Sequence, residues 1–197
     1  MKQHVYTQVT LLRHGARYVS TAKRHYTDPS LTKQGKAQAA ITAEYLRNHK
    51  FDRIYVSDHR RSLETAQYIE KYQRAKLIVC PELREVNHIV YKKKPADKRK
   101  LQEQSRKMRK AIAFFRRILR ENRGKRILLV IHGNVIRVLI KTSMGLPIEE
   151  FPYFHTHHCS LTVLSFQGTK LHAVHALNVT DHHTKTKHED RFRPSWP

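Results

Sequence analysis

Two apolar runs in this chain each end in histidine–glycine, and this repetition restricts the fold more than any other feature. Val5 to Leu12 leads into Arg13-His14-Gly15, and Ile127 to Ile131 leads into His132-Gly133-Asn134. The second run is apolar throughout, the pattern of a strand buried on both faces of a parallel sheet. Open α/β sheets bind ligands beyond the carboxyl ends of their strands, so two strands that each carry a histidine there point to one shared site. Gly15 permits a sharp turn and a close backbone approach to a ligand. The start of the helix after His132 offers N–H groups suited to an anion.

The remaining runs alternate with helical patterns, as expected of an α/β chain. Helices are predicted over about Lys33–Asn48, Arg61–Tyr72, Ala96–Asn122 and Asn134–Met144, and strands over Ile54–Val56 and Leu77–Val79. In the first helix Ala37, Ala40, Ile41, Tyr45 and Leu46 are the predicted inward face, and in the third Met108, Ile112, Phe115, Ile118 and Leu119 form the stripe. Gly124 stops that third helix, and Gly145 and Pro147 end the fourth. Two last strands, near Leu161–Phe166 and Leu171–Leu177, flank a Gln167-Gly168 turn like a hairpin. The expected architecture is a three-layer α/β/α sandwich with a mostly parallel central sheet and one antiparallel edge strand. It occupies residues 1–180 as one domain, with the basic loop and helix 86–123 as a partial cap. The polar tail 181–197 is expected to be partly disordered.

Thirty-nine lysines and arginines oppose sixteen aspartates and glutamates, a formal net charge of +23. Such a field attracts anions without choosing among phosphoesters, nucleic acid and acidic membrane. A generally basic proteome produces the same balance. Cys80 and Cys159 make no disulfide framework and read as small core residues of a reducing compartment. The chain has neither a transmembrane-length apolar stretch nor a secretory signal pattern, so a cytoplasmic protein is expected.

Two further segments reach the same sheet rim. Ser57-Asp58-His59-Arg60-Arg61 follows a strand end and opens a helix, and Leu83-Arg84-Glu85 follows the third strand. Arginine suits phosphate because its guanidinium binds two oxygens at once. A carboxyl there can protonate a leaving oxygen. In order and spacing these segments resemble the histidine phosphatase superfamily, in its phosphoglycerate-mutase-like branch. The shared motifs are Arg13-His14-Gly15, Leu31-Thr32-x-x-Gly35, Ser57-x-x-x-Arg61-x-x-Glu64-Thr65-Ala66, Leu83-x-Glu85 and His132-Gly133-Asn134-Val135-Ile136-Arg137. Gly145-Leu146-Pro147 and Cys159-Ser160-Leu161-Thr162 complete the series, which spans about Val5 to Leu177.

The resemblance implies that His14 is the nucleophile and that Arg13, Arg61 and His132 hold the phosphoryl oxygens. Arg61 is preferred to Arg60 because it stands four residues after Ser57 and three before Glu64. Glu85 is the implied acid, then the base that activates water, and Asn134 is an implied phosphate or substrate contact; Gly15 and, as a cation outside the family pattern, Arg17 are further candidate phosphate contacts. The stretch Ala16-Arg17-Tyr18 departs from the family's usual outer phosphate contacts. No cofactor is required, because the cationic side chains can supply the charge stabilisation. Forty-seven positions separate Glu85 from His132, a connection shorter than the capping insertion of the family's mutases, which favours hydrolysis over phosphoryl transfer between substrate positions. The expected partner is a phosphorylated small molecule or phosphoprotein.

Two other classes fit parts of the sequence. A metal site could draw on His155, His157, His158, His172, His175, His182 and His183, although they lack an accompanying carboxylate or thiolate pattern. A polyanion-binding protein, such as an RNA binder, is suggested by sixteen lysines and arginines against three acids between Tyr91 and Arg126. A nucleic acid or other anionic surface is therefore a secondary candidate partner.

Overall fold

The computed structural model describes residues 5–20, 27–86, 98–146 and 155–183. Its elements run β1 (Tyr6–Arg13), α1 (Lys33–Leu46), β2 (Arg53–Val56), α2 (Arg60–Glu70), β3 (Leu77–Val79), α3 (Lys98–Glu121), β4 (Arg126–Ile131), α4 (Gly133–Ser143), β5 (Leu161–Gln167) and β6 (Lys170–Val179). One six-stranded sheet has the order β3-β2-β4-β1-β5-β6. β3, β2, β4 and β1 pair in parallel; β5 runs against β1 and turns back into β6. The antiparallel edge of the sheet is thus the hairpin anticipated around Gly168, which sits at φ 61 in that turn.

The helices cover both faces. α3 and α4 pack with Val9, Leu11, Ile127, Leu129 and Ile131 in one core cluster. α1 and α2 pack with Leu12, Ile54, Val56, Leu128 and Val130 in the other. Successive residues of β1 and β4 point to opposite faces, so each strand feeds both clusters. The stripe of α3 is buried as predicted: Met108, Ile112, Phe115, Ile118 and Leu119 all lie in the core.

α1 is rotated from its predicted orientation. Its buried residues are Gly35, Gln38, Ala39, Thr42, Ala43 and Leu46, whereas Ala37, Ala40 and Tyr45 are exposed. The cause lies at its first turn, where a Cβ on Gly35 would fall 1.9 Å from the carbonyl oxygen of Ala16. That backbone contact fixes which side faces inward, and the polar Gln38 and Thr42 follow because both have partners. Gln38 accepts from the Ala16 N–H at 2.8 Å, and Thr42 Oγ1 donates to the Gln38 carbonyl at 2.9 Å.

Asp181–His183 form a 3-10 turn after β6, and His183 is buried. The rest of the expected tail, the first part of the proposed cap at 87–97, and Pro147 lie outside the described residues. Cys80 and Cys159 are buried and unbridged, their thiols pushed up to about 12 mainly by burial.

Candidate active site

β1 and β4 are adjacent and parallel, with Arg13 opposite Ile131. Both therefore end at the same rim, and the next residue of each is a histidine. The His14 and His132 rings meet edge-on with centroids 5.1 Å apart, and both are fully buried. His14 Nδ1–H donates to the Gly15 carbonyl at 2.8 Å, which leaves Nε2 with the lone pair. Arg61 Nε–H donates to that Nε2 at 3.1 Å. Arg61 is buried at the start of α2, while Arg60 is exposed and pairs with Glu64 at 2.8 Å.

The segment around His14 is held from two helices. The Gly15 N–H donates to Thr65 Oγ1 at 3.1 Å, and Thr65 in turn donates to the Arg61 carbonyl at 2.7 Å. Thr32 caps α1 by accepting from the Gly35 N–H, and both its N–H and hydroxyl donate to the Ala16 carbonyl. Glu64 accepts from the Leu31 N–H at 2.7 Å, tying the approach to α1 onto α2. Glycine is needed at 15 and 35 because two main chains touch: a Cβ on Gly15 would lie 2.5 Å from the Gly35 carbonyl oxygen. Thr65, Glu64, Thr32 and Gln38 are functional supports that the side-chain chemistry of the sequence did not single out. The Leu-Thr-x-x-Gly and Glu-Thr-Ala spacings carry the signal for Thr32, Glu64 and Thr65; Gln38 lies outside both motifs.

Arg13 crosses to the loop before β5. One of its guanidinium nitrogens donates to the Thr156 carbonyl and the other to His158 Nε2 at 3.1 Å. Because a guanidinium only donates, His158 must accept and is therefore neutral at that nitrogen. The His158 ring stands 5.7 Å from that of His14. His59 joins the cluster with its ring 4.9 Å from His132. Neither His59 nor His158 was expected at the site. His158 sits in the histidine-rich stretch just before Cys159-Ser160-Leu161-Thr162, and a contact 145 positions from Arg13 has no local signature.

His132 Nε2 hydrogen-bonds Ser57 Oγ at 2.8 Å. Its Nδ1 and Arg13 Nε are buried without a hydrogen-bond partner. Glu85 is half-buried and accepts from the Val86 N–H at 3.1 Å. Asn134 directs its amide to the Val86 carbonyl at 2.8 Å and accepts from Arg137 at 3.2 Å, so its side chain braces the Glu85 segment. Arg17 is half-buried; its backbone bridges to Leu31 and its guanidinium donates to the Tyr18 carbonyl at 3.0 Å. The charge of Arg17 is felt by both Arg13 and Arg61.

Burial and charge push the ionisable groups apart. Burial, then the Arg13 and Arg61 charges, hold the His14 imidazolium well below its ordinary range. Burial does the same to His132, helped by His14 and Arg61. Burial raises the Glu85 carboxyl, opposed by Arg61 and Arg13. Arg13 is lowered by burial to about 10 and stays cationic at neutral pH. The arrangement presents an unprotonated imidazole nitrogen, fixed cations and a carboxyl raised by burial within one site.

Other described histidines have partners of their own away from His14 and His132. His157 is locked to Asn178 at 2.9 Å, His175 to Ser165 at 2.9 Å, and His182 to Thr42 at 3.1 Å. Among the described residues no group of three or more histidines, cysteines and carboxylates is placed to hold a metal ion. No helix among them is long and apolar enough to cross a membrane.

The fold has counterparts among known proteins. The model of the histidine phosphatase superfamily, branch 1, matches residues 9–180. Curated relatives include a protein of Photorhabdus laumondii named "Probable phosphoglycerate mutase GpmB", 29% identical over 185 residues, covering 81% of this chain and 85% of the relative. Its namesake from Yersinia pestis is 30% identical over 183 residues with the same coverage. Among solved structures, the phosphoserine phosphatase of Entamoeba histolytica aligns with TM-score 0.73 at 21% identity, covering 89% of this chain and 98% of that one. A mycobacterial glucosyl-3-phosphoglycerate phosphatase aligns with TM-score 0.70 at 19% identity, covering 89% and 100%. At these identities the solved structures establish a common fold.

Proposed function

The chain belongs to branch 1 of the histidine phosphatase superfamily, and from that premise we propose that it hydrolyses phosphomonoesters through a phosphohistidine formed on His14. The observation that carries this is the opposed displacement of His14 and Glu85: burial favours the neutral imidazole and the protonated carboxyl together. Two groups whose environments push their protonation in opposite senses are suited to be nucleophile and general acid.

In the first step His14 Nε2 attacks phosphorus and the ester P–O bond breaks. Glu85 gives its proton to the departing oxygen. The Nδ1–H bond to the Gly15 carbonyl keeps the ring in the attacking tautomer. Arg61 exchanges its hydrogen bond with Nε2 for one with the phosphoryl group. Arg13 and His132 join it, and the buried Arg13 Nε and His132 Nδ1 find acceptors among the phosphoryl oxygens. Buried donors of this kind are rarely left unpaired, and preorganised ones stabilise the charge that develops in the transition state. In the second step water attacks phosphorus, Glu85 takes its proton, and the P–N bond breaks to release inorganic phosphate. No metal or cofactor enters either step.

Hydrolysis is preferred to mutase chemistry because Lys98–Glu121, within the short Glu85–His132 connection, lies in the helical layer against α4. The substrate is a phosphorylated small molecule or a phosphoprotein, and Arg17 adds a cation beside the phosphoryl pocket. A cytoplasmic setting fits two buried, unbridged cysteines. The names of the curated relatives favour the second reading, a phosphoglycerate mutase. Turnover of p-nitrophenyl phosphate in EDTA, compared with isomerisation of 3-phosphoglycerate, separates the two. Phosphate release that resists EDTA and disappears in His14→Ala is expected; isomerisation outpacing phosphate release would overturn the hydrolase assignment.

A further inference from the structure

α3 has two opposite faces, and only one of them is used by the fold. Its apolar face, with Met108, Ile112, Phe115, Ile118 and Leu119, is sealed in the core. On the solvent face stand Arg106, Arg109, Lys110, Arg116, Arg117 and Arg120, with only Ala113 between them, and Arg123 follows in the turn after the helix. At 100° per residue the helical positions share an arc of about 120° and run for about 21 Å along the axis. The acids of the helix, Glu103 and Glu121, fall at one border, where they pair with Lys107 at 2.7 Å and Arg117 at 3.8 Å. Arg109, Lys110, Arg116, Arg120 and Arg123 have no acid within ion-pair distance among the described residues. Like charges three and four positions apart weaken a helix. The self-repulsion contributes nothing to packing.

We propose that this face binds the phosphate backbone of double-stranded nucleic acid, independently of sequence. A duplex offers a dense row of phosphates to a straight row of cations, and guanidinium forks dominate the row. Single strands are held by stacking bases on aromatic side chains, and among the described residues none of the exposed large hydrophobic ones is on α3. A membrane-bound helix inserts an apolar face, and the apolar face of α3 is already buried. The proposal is independent of the phosphatase reading.

Fluorescence anisotropy of a labelled 20-base-pair duplex tests it on the full chain, over a range of salt concentrations. The five unpaired cations predict a slope of about −4 to −5 in log K against log salt. A variant carrying Arg109→Gln, Lys110→Gln, Arg116→Gln and Arg120→Gln should lose roughly a hundredfold in affinity at low salt and about 3–4 units of slope. A second variant neutralises four cations on the opposite layer, Lys36, Lys50, Lys71 and Arg74, to the same net charge. It should keep most of the affinity, and circular dichroism should show both variants folded. Equal losses in the two variants would make the effect a property of net charge and overturn the assignment. So would the absence of duplex binding, or tighter binding to phosphatidylserine vesicles or single strands than to the duplex.

Discussion

Replacing Gly35 by alanine tests the backbone contact on which the candidate site rests. The added Cβ would lie 1.9 Å from the Ala16 carbonyl oxygen and 2.8 Å from the Ala16 carbonyl carbon and amide nitrogen. All of these atoms are main chain, so no side-chain rotation can relieve the clash. The segment Gly15-Ala16 must move by more than an ångström, or α1 must retreat and open its contact with the sheet. Overpacking costs about 1–3 kcal/mol, and a rigid main-chain obstacle belongs at the upper end. A domain of this size loses about 2–4 °C of Tm per kcal/mol, so a drop of about 6–12 °C is expected by calorimetry. Gly15 follows the proposed nucleophile directly, and a shift of about 1 Å in a reacting group costs on the order of a hundredfold in kcat. Gly168→Ala is the control, because its Cβ meets nothing within 4 Å and only the left-handed φ of 61 is penalised. That strain costs about 1–2 kcal/mol, or roughly 2–8 °C, and should leave kcat unchanged. A Gly35→Ala protein with wild-type kcat and a Tm within about 2 °C of wild type would refute the reasoning.

Three further substitutions probe separate parts of the site. Glu85→Gln should slow hydrolysis of alkyl phosphates by about 10²–10⁴-fold and of p-nitrophenyl phosphate by less, since a good leaving group needs little proton donation. The Glu85 carboxyl is raised by burial, so its stabilisation of the fold is present in the acid form and is lost as pH rises through the raised value. Thermal scans should therefore show Glu85→Gln gaining stability relative to wild type at pH 8 but not at pH 4. Arg61→Lys removes the Nε–H that meets His14 and the forked grip on phosphate; kcat should fall by about 10²–10³-fold with little change in Tm. Thr65→Val leaves the buried Gly15 N–H without its acceptor and should cost about 1–3 kcal/mol in urea unfolding, with a parallel loss of kcat.

The strand ends are legible in the sequence because two buried runs finish in His-Gly, and parallel pairing of β1 with β4 then brings His14 beside His132 without further information. Arg61 is separated from Arg60 by the family spacing, four after Ser57 and three before Glu64; helix geometry adds only that adjacent residues point about 100° apart, so the two cannot share one direction. The rotation of α1 is not legible. Apolar periodicity selects Ala40, Ile41 and Tyr45, but the contact between Gly35 and Ala16 overrides it and turns Gln38 and Thr42 inward. Contacts across long sequence distances are equally hidden. Arg13 is held by Thr156 and His158, and Asn134 turns toward Val86, because the sheet order brings those loops together. Nothing in their immediate neighbours encodes it.

The phosphoenzyme itself is the most direct evidence for the chemistry. The protein would be mixed rapidly with a ³²P-labelled phosphomonoester in EDTA, quenched in base, and divided between acid and alkali. A label that survives alkali, is lost in mild acid, maps to the peptide containing His14 and is absent from His14→Ala is the predicted result. Turnover without any such label, or a label retained in His14→Ala, would contradict a phosphohistidine on His14.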